Sequence, residues 1–323
     1  MLKQRQMRQF ARFVWFVLVY DVLVVLWGAY VRVSFSGDGC GAHWPLCNGE
    51  IVPHAQQTKT LVELAHRVTS GGSLVLAVAM LVWAFRVSTK GASVRRWSAW
   101  VLFFTASEAL IGAAIVLLRL VAHDKSLVRG VSTSLHLTNT FMLLASVAIT
   151  TRVASGAPAI AFKKRGWLGV LSAIAMLSAV FIAATGSIAA LGDTLYPSHS
   201  VAEGLAQDVA PSAPLFIRLR SLHPFVAVFG GIALLGLASF APAARPTRDV
   251  RVLGRALSIA YFVQVALGVV NIRFLAPAWL QLLHLLSADV VWVLLVLLAT
   301  AALGEGETIS SPKAALAGSP PAR

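Results

Sequence analysis

The sequence predicts an all-α membrane protein in which eight transmembrane helices form two pseudo-symmetric four-helix bundles. Three observations lead to this fold class. Of the 323 residues, 58% are hydrophobic and only 12% are charged, and the mean hydropathy is +0.77. Eight apolar stretches are each long enough to cross a bilayer as a helix, which takes roughly 20 residues. The second half of the chain also repeats polar landmarks of the first.

The eight spans follow one another with mostly short connections. The first four are expected in an N-terminal half, residues 1–157, and the last four in a C-terminal half, residues 158–303. Residues 304–323 are rich in Ala, Ser, Pro and Gly and are predicted to form a disordered cytoplasmic tail. The predicted spans lie near residues 11–33, 61–85, 97–120, 130–152, 166–190, 214–240, 252–272 and 278–303.

The distribution of basic residues predicts the orientation in the membrane. The chain has 27 Lys and Arg against 13 Asp and Glu, a formal net charge of +14. Most of the basic residues fall at the termini and after the even-numbered spans, which the positive-inside rule places in the cytoplasm. We therefore expect a multi-pass protein of the cell (inner) membrane with both termini cytoplasmic. The basic clusters indicate orientation and lipid-headgroup contact rather than nucleic-acid binding.

An internal repeat relates the two halves. His66 in the second span corresponds to His223 in the sixth, and His136 in the fourth corresponds to His284 in the eighth. Because each half has four spans and both halves enter from the same side, we expect a parallel repeat about an axis along the membrane normal. The third and seventh spans correspond through Glu108-Ala-Leu-Ile-Gly112 and Gln264-Val-Ala-Leu-Gly268.

The four histidines His66, His136, His223 and His284 are the strongest functional signal. All lie near the start of a span, at similar depth, and an ionisable side chain inside hydrocarbon indicates function by default. Neutral imidazole is a common ligand of haem iron, and bundle interiors are where cofactor ligands are placed. The pattern predicts one bis-histidine haem site in each half; hydrogen bonds between helices are the alternative.

Glu63 is the second signal. It precedes His66 by three residues and shares its helix face, so it could act on whatever His66 binds, or it could be solvated at the membrane surface. Glu-x-x-His also occurs in di-iron bundles, which need further carboxylates on facing helices. The other deep acids do not form a second such motif; they are Asp21, Glu108 and Asp289.

The first outer loop contains the two cysteines of the chain, Cys40 and Cys47. The topology places them on the oxidising side, where disulfides persist. We favour a disulfide over a metal site that would add His43 and His54, with free thiols as the remaining alternative. A strained, exposed bridge of this kind could also be redox-active. The outer loop 191–213 has no cysteine and is predicted to act as a lid. Its polar features are Asp193, Tyr196 and His199.

Taken together, these motifs resemble heme A synthase. The resemblance rests on four features, which are Gly28-Ala-Tyr-Val-Arg32, Cys-x6-Cys enclosing Trp44-Pro-Leu, Glu63-Leu-Ala-His66-Arg67 and the later paired histidines. It covers about residues 11–303. It implies an oxidoreductase that oxidises a ring methyl group of haem O to a formyl group, giving the haem A of aa3-type cytochrome oxidases.

The resemblance also implies roles for individual residues and partners. Glu63 would be catalytic, and His66 and His136 would bind the iron of the substrate haem O or product haem A. His223 and His284 would ligate a haem b cofactor, and Cys40 and Cys47 match the outer-loop pair of the family. The implied partners are a haem O synthase (a farnesyltransferase), cytochrome oxidase assembly factors and an unidentified electron donor, all at the lipid bilayer. Self-association into a homo-oligomer stays open.

Two features depart from the expected pattern. The second half lacks a cysteine pair, and Pro224 follows His223 where Arg67 follows His66. Proline breaks a helix interior unless it lies in the first turn, so the sixth span is expected to begin near His223 or to kink there. Candidate replacements for the missing arginine as a haem propionate partner are Arg218 and Arg220.

Three other functional classes compete with the synthase. A dihaem electron carrier of the cytochrome b type needs haems near both membrane faces, whereas all four histidines lie toward the outer face. A transporter predicts helix breaks at mid-membrane in both halves, and none occur in matching positions. A haem chaperone would bind haem without reacting with it. It differs from the enzyme only in that Glu63 has no catalytic role.

Overall fold

The computed structural model describes residues 2–54, 57–158 and 166–304. Residues 159–165, where the two predicted halves join, and residues 305–323 of the predicted tail lie outside the described residues. Within the described ranges the regular structure is helical and no β-strand is formed. The helices are α1 Leu2–Val33, α2 Thr58–Val87, α3 Ser93–Leu117, α4 Leu127–Ala154, α5 Gly166–Leu195, α6 Val201–Val209, α7 Leu215–Ala244, α8 Arg248–Arg273 and α9 Ala278–Leu303.

Eight of these helices are long and apolar enough to cross a membrane, which confirms the predicted number of spans in the described chain. The first helix is longer than its predicted span, since α1 begins at Leu2 instead of near residue 11. The added segment is rich in Lys, Gln and Arg, which are good helix formers. It extends the helix beyond the apolar stretch toward the expected cytoplasmic side.

The outer loop 191–213 contains more helix than predicted. Helix α5 continues to Leu195, and α6 follows as a short helix on the outer side. Ser200 caps α6 by accepting a hydrogen bond from the Glu203 backbone N–H at 3.1 Å, and Glu203 Oε2 accepts from His199 N–H at 2.8 Å. This Ser-x-x-Glu pattern is a helix-start signal that is visible in the sequence.

The sixth span does not begin at His223. Helix α7 starts at Leu215, and Pro224 lies inside it. Pro214 precedes the first helical residue, where its missing N–H costs nothing because the first N–H groups of a helix have no intrahelical partner. The start at Leu215 agrees with the predicted span 214–240. The alternative start near His223 was wrong, and the helix carries Pro224 in its third turn.

The long helices of each half pack as a closed ring. In the first half the contacts run from α1 to α2, α3, α4 and back to α1, and in the second half from α5 to α7, α8, α9 and back to α5. The halves meet where α4 contacts α5 and α9 and where α1 contacts α9. Superposition of one half on the other by a two-fold rotation stays a prediction.

The interior of the molecule is centred on α4 and α9, which have the longest runs of buried residues. Trp292 of α9 is fully buried, and its indole Nε1 donates to the Phe141 carbonyl of α4 at 2.6 Å. The two rings stack with centroids 4.9 Å apart. Large apolar side chains such as Phe229 and Phe262 point outward, as expected for helices that face lipid.

Candidate haem-binding site

The four predicted histidines lie on four different helices, two in each half. His66 is on α2 and His136 on α4; His223 is on α7 and His284 on α9. All four histidines are partly buried. In each half the two histidines lie on helices that belong to the same closed ring. Their pairing about one iron stays a prediction.

Each imidazole packs against a glycine of a neighbouring helix. The distances from a Cβ built on the glycine to the histidine Cε1 are 2.9 Å for Gly28 and His66, 3.7 Å for Gly112 and His136, 3.0 Å for Gly186 and His223, and 3.3 Å for Gly268 and His284. A methyl group would press on the ring in three of the four cases. Gly186 belongs to none of the sequence motifs, because a glycine–ring contact depends on how two helices face each other.

The ring nitrogens are incompletely paired. Among the described residues, Nδ1 of His66, His136 and His284 is buried without a hydrogen-bond partner, and His223 Nδ1 lies 3.1 Å from the Thr185 hydroxyl. A buried polar atom without a partner is costly, so these nitrogens are suited to a ligand or to a rearranged hydrogen bond. A flip of an imidazole ring would exchange Nδ1 with Cδ2 and Nε2 with Cε1.

Glu63 is buried, with 3% of the residue exposed. Its Oε2 accepts a hydrogen bond from the Cys40 backbone N–H at 2.8 Å, and its Oε1 accepts from Arg67 Nε at 3.1 Å. The alternative of a solvated surface carboxylate was wrong, because the outer loop folds back over the start of α2. Glu63 thus connects the helix that carries His66 to the cysteine loop.

The cysteine loop is fastened to α2 at further points. Arg67 donates to the carbonyl oxygens of His43 and Leu46, each at 2.6 Å. The Thr60 hydroxyl donates to the Gly39 carbonyl at 2.8 Å. A Cβ on Gly39 would lie 2.5 Å from the Lys59 carbonyl carbon, so only glycine allows this close approach of loop and helix.

Cys40 and Cys47 form a disulfide with their Cα atoms 4.4 Å apart. This contradicts the metal alternative with His43 and His54, because both thiols are oxidised. Both cysteines are buried, so the expectation of an exposed bridge was also wrong. The burial follows from the packing of the loop onto α2.

Glu108 on α3 is a site residue that the sequence did not assign. Its Oε1 lies 3.2 Å from His136 Nδ1 and accepts from the Thr140 hydroxyl at 2.5 Å. Its Oε2 accepts from the Asn139 amide at 2.5 Å. The sequence signal that could have identified Glu108 was the internal repeat, which matches Glu108 to Gln264. In the second half, Gln264 Nε2 lies 3.2 Å from His284 Nε2.

Arg220 stands three residues before His223, as Glu63 does before His66. It donates to Asp193 Oδ1 at 3.0 Å and to Asp208 Oδ1 at 2.6 Å. It thus fastens α6 to α7, and its described contacts go to these carboxylates and to the Gly204 carbonyl. The other candidate propionate partner, Arg218, donates to the Pro211 carbonyl.

The remaining predicted lid residues, Tyr196 and His199, make contacts at the end of the helices that is predicted to face outward. The Lys125 ammonium lies 4.4 Å from the centroid of the Tyr196 ring, which links an outer loop of the first half to the second half. His199 contributes its backbone N–H to the start of α6. These contacts give both residues a structural part on the outer surface.

Arg32, the last residue of the Gly28-to-Arg32 motif, joins the two halves. It donates to the Ala190 carbonyl at 2.8 Å, to the Thr194 hydroxyl at 3.0 Å and to the Gln281 amide oxygen at 3.0 Å. The first two partners lie on α5 and the third on α9. The motif therefore provides the glycine beside His66 and also the arginine whose hydrogen bonds join the two halves.

These features define a class: a multi-pass helical membrane protein whose two bundles each hold a pair of histidines beside glycines. Residues 11–296 match the family described as cytochrome oxidase assembly protein. The chain belongs to this family, and the resemblance to heme A synthases drawn from its motifs is confirmed by relatives of that name.

The relatives differ in how much of the chain they match. A protein named protoheme IX farnesyltransferase from Thermus thermophilus is 41% identical over 296 residues, which are 92% of this chain and 49% of the relative. A heme A synthase from Symbiobacterium thermophilum is 45% identical over 96 residues, 30% of this chain and 31% of the relative. A heme A synthase from Bacillus mycoides is 40% identical over 113 residues, 34% of this chain and 36% of the relative. The chain thus spans about half the length of the Thermus relative.

Proposed function

We propose that this protein is a heme A synthase, an oxidoreductase that oxidises a methyl group of haem O to a formyl group and uses a bound haem b. The observation that carries the proposal is the arrangement of four histidines as one pair per bundle, each ring beside a glycine. A glycine lets a ligating imidazole lie close against the neighbouring helix. The unpaired Nδ1 atoms of His66, His136 and His284 are free to take the hydrogen bonds that orient an imidazole whose Nε2 ligates iron.

We assign the substrate haem to His66 and His136 and the haem b to His223 and His284. The assignment follows the resemblance and the charges near each pair. The first half has Glu63 and Glu108 where the second half has Arg220 and Gln264. With O2 as the oxidant, two successive hydroxylations of the methyl group and loss of water would give the formyl group; each hydroxylation would consume one O2, two electrons from the electron donor and two protons, so carboxylates that pass protons suit the substrate side.

A haem b in the second half would supply reversible one-electron transfer. The chain's own residues would position the two macrocycles and limit access from the outer face. Glu63 is proposed as the catalytic carboxylate. Its bonds to Arg67 and to the Cys40 N–H hold it at the outer side of the His66 ring, under the disulfide loop.

The setting of the reaction is part of the proposal. We place the protein in the cell membrane with both termini in the cytoplasm and its histidine pairs toward the outer face. A haem farnesyltransferase would supply the substrate, which agrees with the name of the Thermus relative. The haem A produced would pass to cytochrome oxidase assembly factors, and a separate electron donor would serve the haem b.

The test is the haem content of the protein purified from a host that makes haem O. We expect extraction and mass measurement to find haem B together with haem O or haem A. His223→Ala and His284→Ala should each remove the low-spin bis-histidine haem b spectrum, while His66→Ala and His136→Ala should remove haem O and haem A. Haem B alone, in both halves, would instead indicate an electron carrier.

A further inference from the structure

We propose that Glu108 is a positioning residue for the substrate haem, acting through His136. It would accept a hydrogen bond from the Nδ1–H of His136 and so hold the tautomer whose Nε2 lone pair is free for iron. The proposal rests on the proposed function for the identity of the haem, but it concerns how His136 is oriented, which that function leaves open.

The Glu108 carboxylate is held in place from both sides. The Asn139 amide orientation is fixed because its Oδ1 accepts from the Ser107 hydroxyl at 2.7 Å and its Nδ2 donates to the Phe104 carbonyl at 3.0 Å. Asn139 therefore has to present its N–H₂ group to Glu108 Oε2. With Thr140 donating to Oε1, the carboxylate is restrained before any ligand arrives.

His136 is the neighbour of Glu108 whose hydrogen bonding is incomplete. Its Nδ1 is 3.2 Å from Oε1 but is not aligned for a hydrogen bond, and it has no other partner among the described residues. Gly112, one turn along α3 from Glu108, leaves 3.7 Å between its built Cβ and His136 Cε1. The ring thus has room to rotate. Ligation through Nε2 would turn Nδ1–H toward the carboxylate.

The second half provides an internal comparison. Gln264 stands four residues before Gly268, as Glu108 stands four residues before Gly112. Its neutral amide Nε2 lies 3.2 Å from His284 Nε2, so the His284 ring has to turn before that nitrogen can ligate iron with Nδ1 toward the amide. A carboxylate partner makes an iron-bound imidazole more basic than an amide does. The fold thus gives the first-half iron an electron-richer ligand than the second-half iron, and its reduction potential should be lower for the same haem.

The experiment compares Glu108→Gln with the reverse exchange, Gln264→Glu. Both proteins are loaded with haem B in both halves and titrated spectroelectrochemically, and the two waves are assigned with His136→Ala and His284→Ala. We expect Glu108→Gln to raise the first-half potential and leave the second-half potential unchanged. We expect Gln264→Glu to lower the second-half potential.

An unchanged first-half potential in haem-loaded Glu108→Gln overturns the proposal. If that variant does not retain haem, the Gln264→Glu protein decides, and an unchanged second-half potential there overturns it as well. The readout uses haem B and needs no turnover. A shift in potential without any haem O or haem A in the native protein would therefore support the positioning role while contradicting the synthase.

Discussion

At the scale of single residues, Glu63 has two partners that a substitution can separate. Glu63→Gln keeps an acceptor for the Cys40 N–H but loses the ion pair with Arg67. We expect this variant to bind haem in both halves yet make little haem A, with haem O or a hydroxymethyl product accumulating. General acid–base groups typically contribute about 10²- to 10⁴-fold in rate. The measurement is the haem composition of membranes by mass.

Arg67→Gln is the matched control for Glu63→Gln. It removes the same ion pair and the two bonds to the cysteine loop while leaving the carboxylate. If Glu63 only anchors the loop, the two variants should lose haem A alike. If its carboxylate takes part in the chemistry, Glu63→Gln should lose more. Wild-type haem A in Glu63→Gln would remove Glu63 from the catalytic set.

At the scale of helices, the contact between α1 and α2 depends on the glycine beside His66. Gly28→Ala places a Cβ 2.9 Å from His66 Cε1, whereas Gly112→Ala leaves 3.7 Å to His136 Cε1. Overpacking typically costs about 1–3 kcal/mol, which corresponds to roughly 5- to 150-fold weaker binding. We expect Gly28→Ala to weaken haem binding in the first half by such a factor and Gly112→Ala to have a smaller effect. Haem titration of the purified variants measures both.

Helix propensity makes this comparison cleaner. Alanine is better than glycine in a helix by about 1 kcal/mol, so both substitutions favour the helix that carries them. A loss of haem in Gly28→Ala then reflects the ring contact and not a weakened α1. The second-half haem should be unaffected in both variants. Equal losses in the two variants would contradict the importance of the glycine gap.

The helices also show what the sequence can and cannot predict. Apolar length identifies all eight spans, because the bilayer imposes it. The predicted span 214–240 places the start of α7 correctly, whereas the alternative start near His223, suggested by Pro224, is wrong. Helix α6 escapes prediction although its Ser200–Glu203 cap is local. The histidine pairs are predictable from the repeat, but the Glu108–His136 contact is not, since it depends on how α3 is rotated against α4.

At the scale of the whole molecule, the two bundles share one interior. Arg32 of α1 reaches α5 and α9, and the Trp292–Phe141 stack joins α9 to α4. These contacts fix the distance between the two histidine pairs, which is the path that electrons would take between haem b and substrate. The same contacts make the stability of each half depend on the other.

Trp292 is the residue that tests this dependence. Trp292→Phe keeps an aromatic ring but loses the hydrogen bond to the Phe141 carbonyl, and interhelical hydrogen bonds in membranes contribute about 0.6 kcal/mol and at most about 1.7 kcal/mol. Trp292→Ala also leaves a cavity, for which a cost of about 3–5 kcal/mol is typical. We therefore expect a small decrease in stability for Trp292→Phe and a large one for Trp292→Ala. Thermal loss of the haem spectra, followed separately for each half, measures both.

Because the side chain is shared, Trp292→Ala should lower the transition temperatures of both haem signals together, unlike Gly28→Ala, which should affect the first half alone. A transition that shifts in one half only would mean that the bundles fold as independent units.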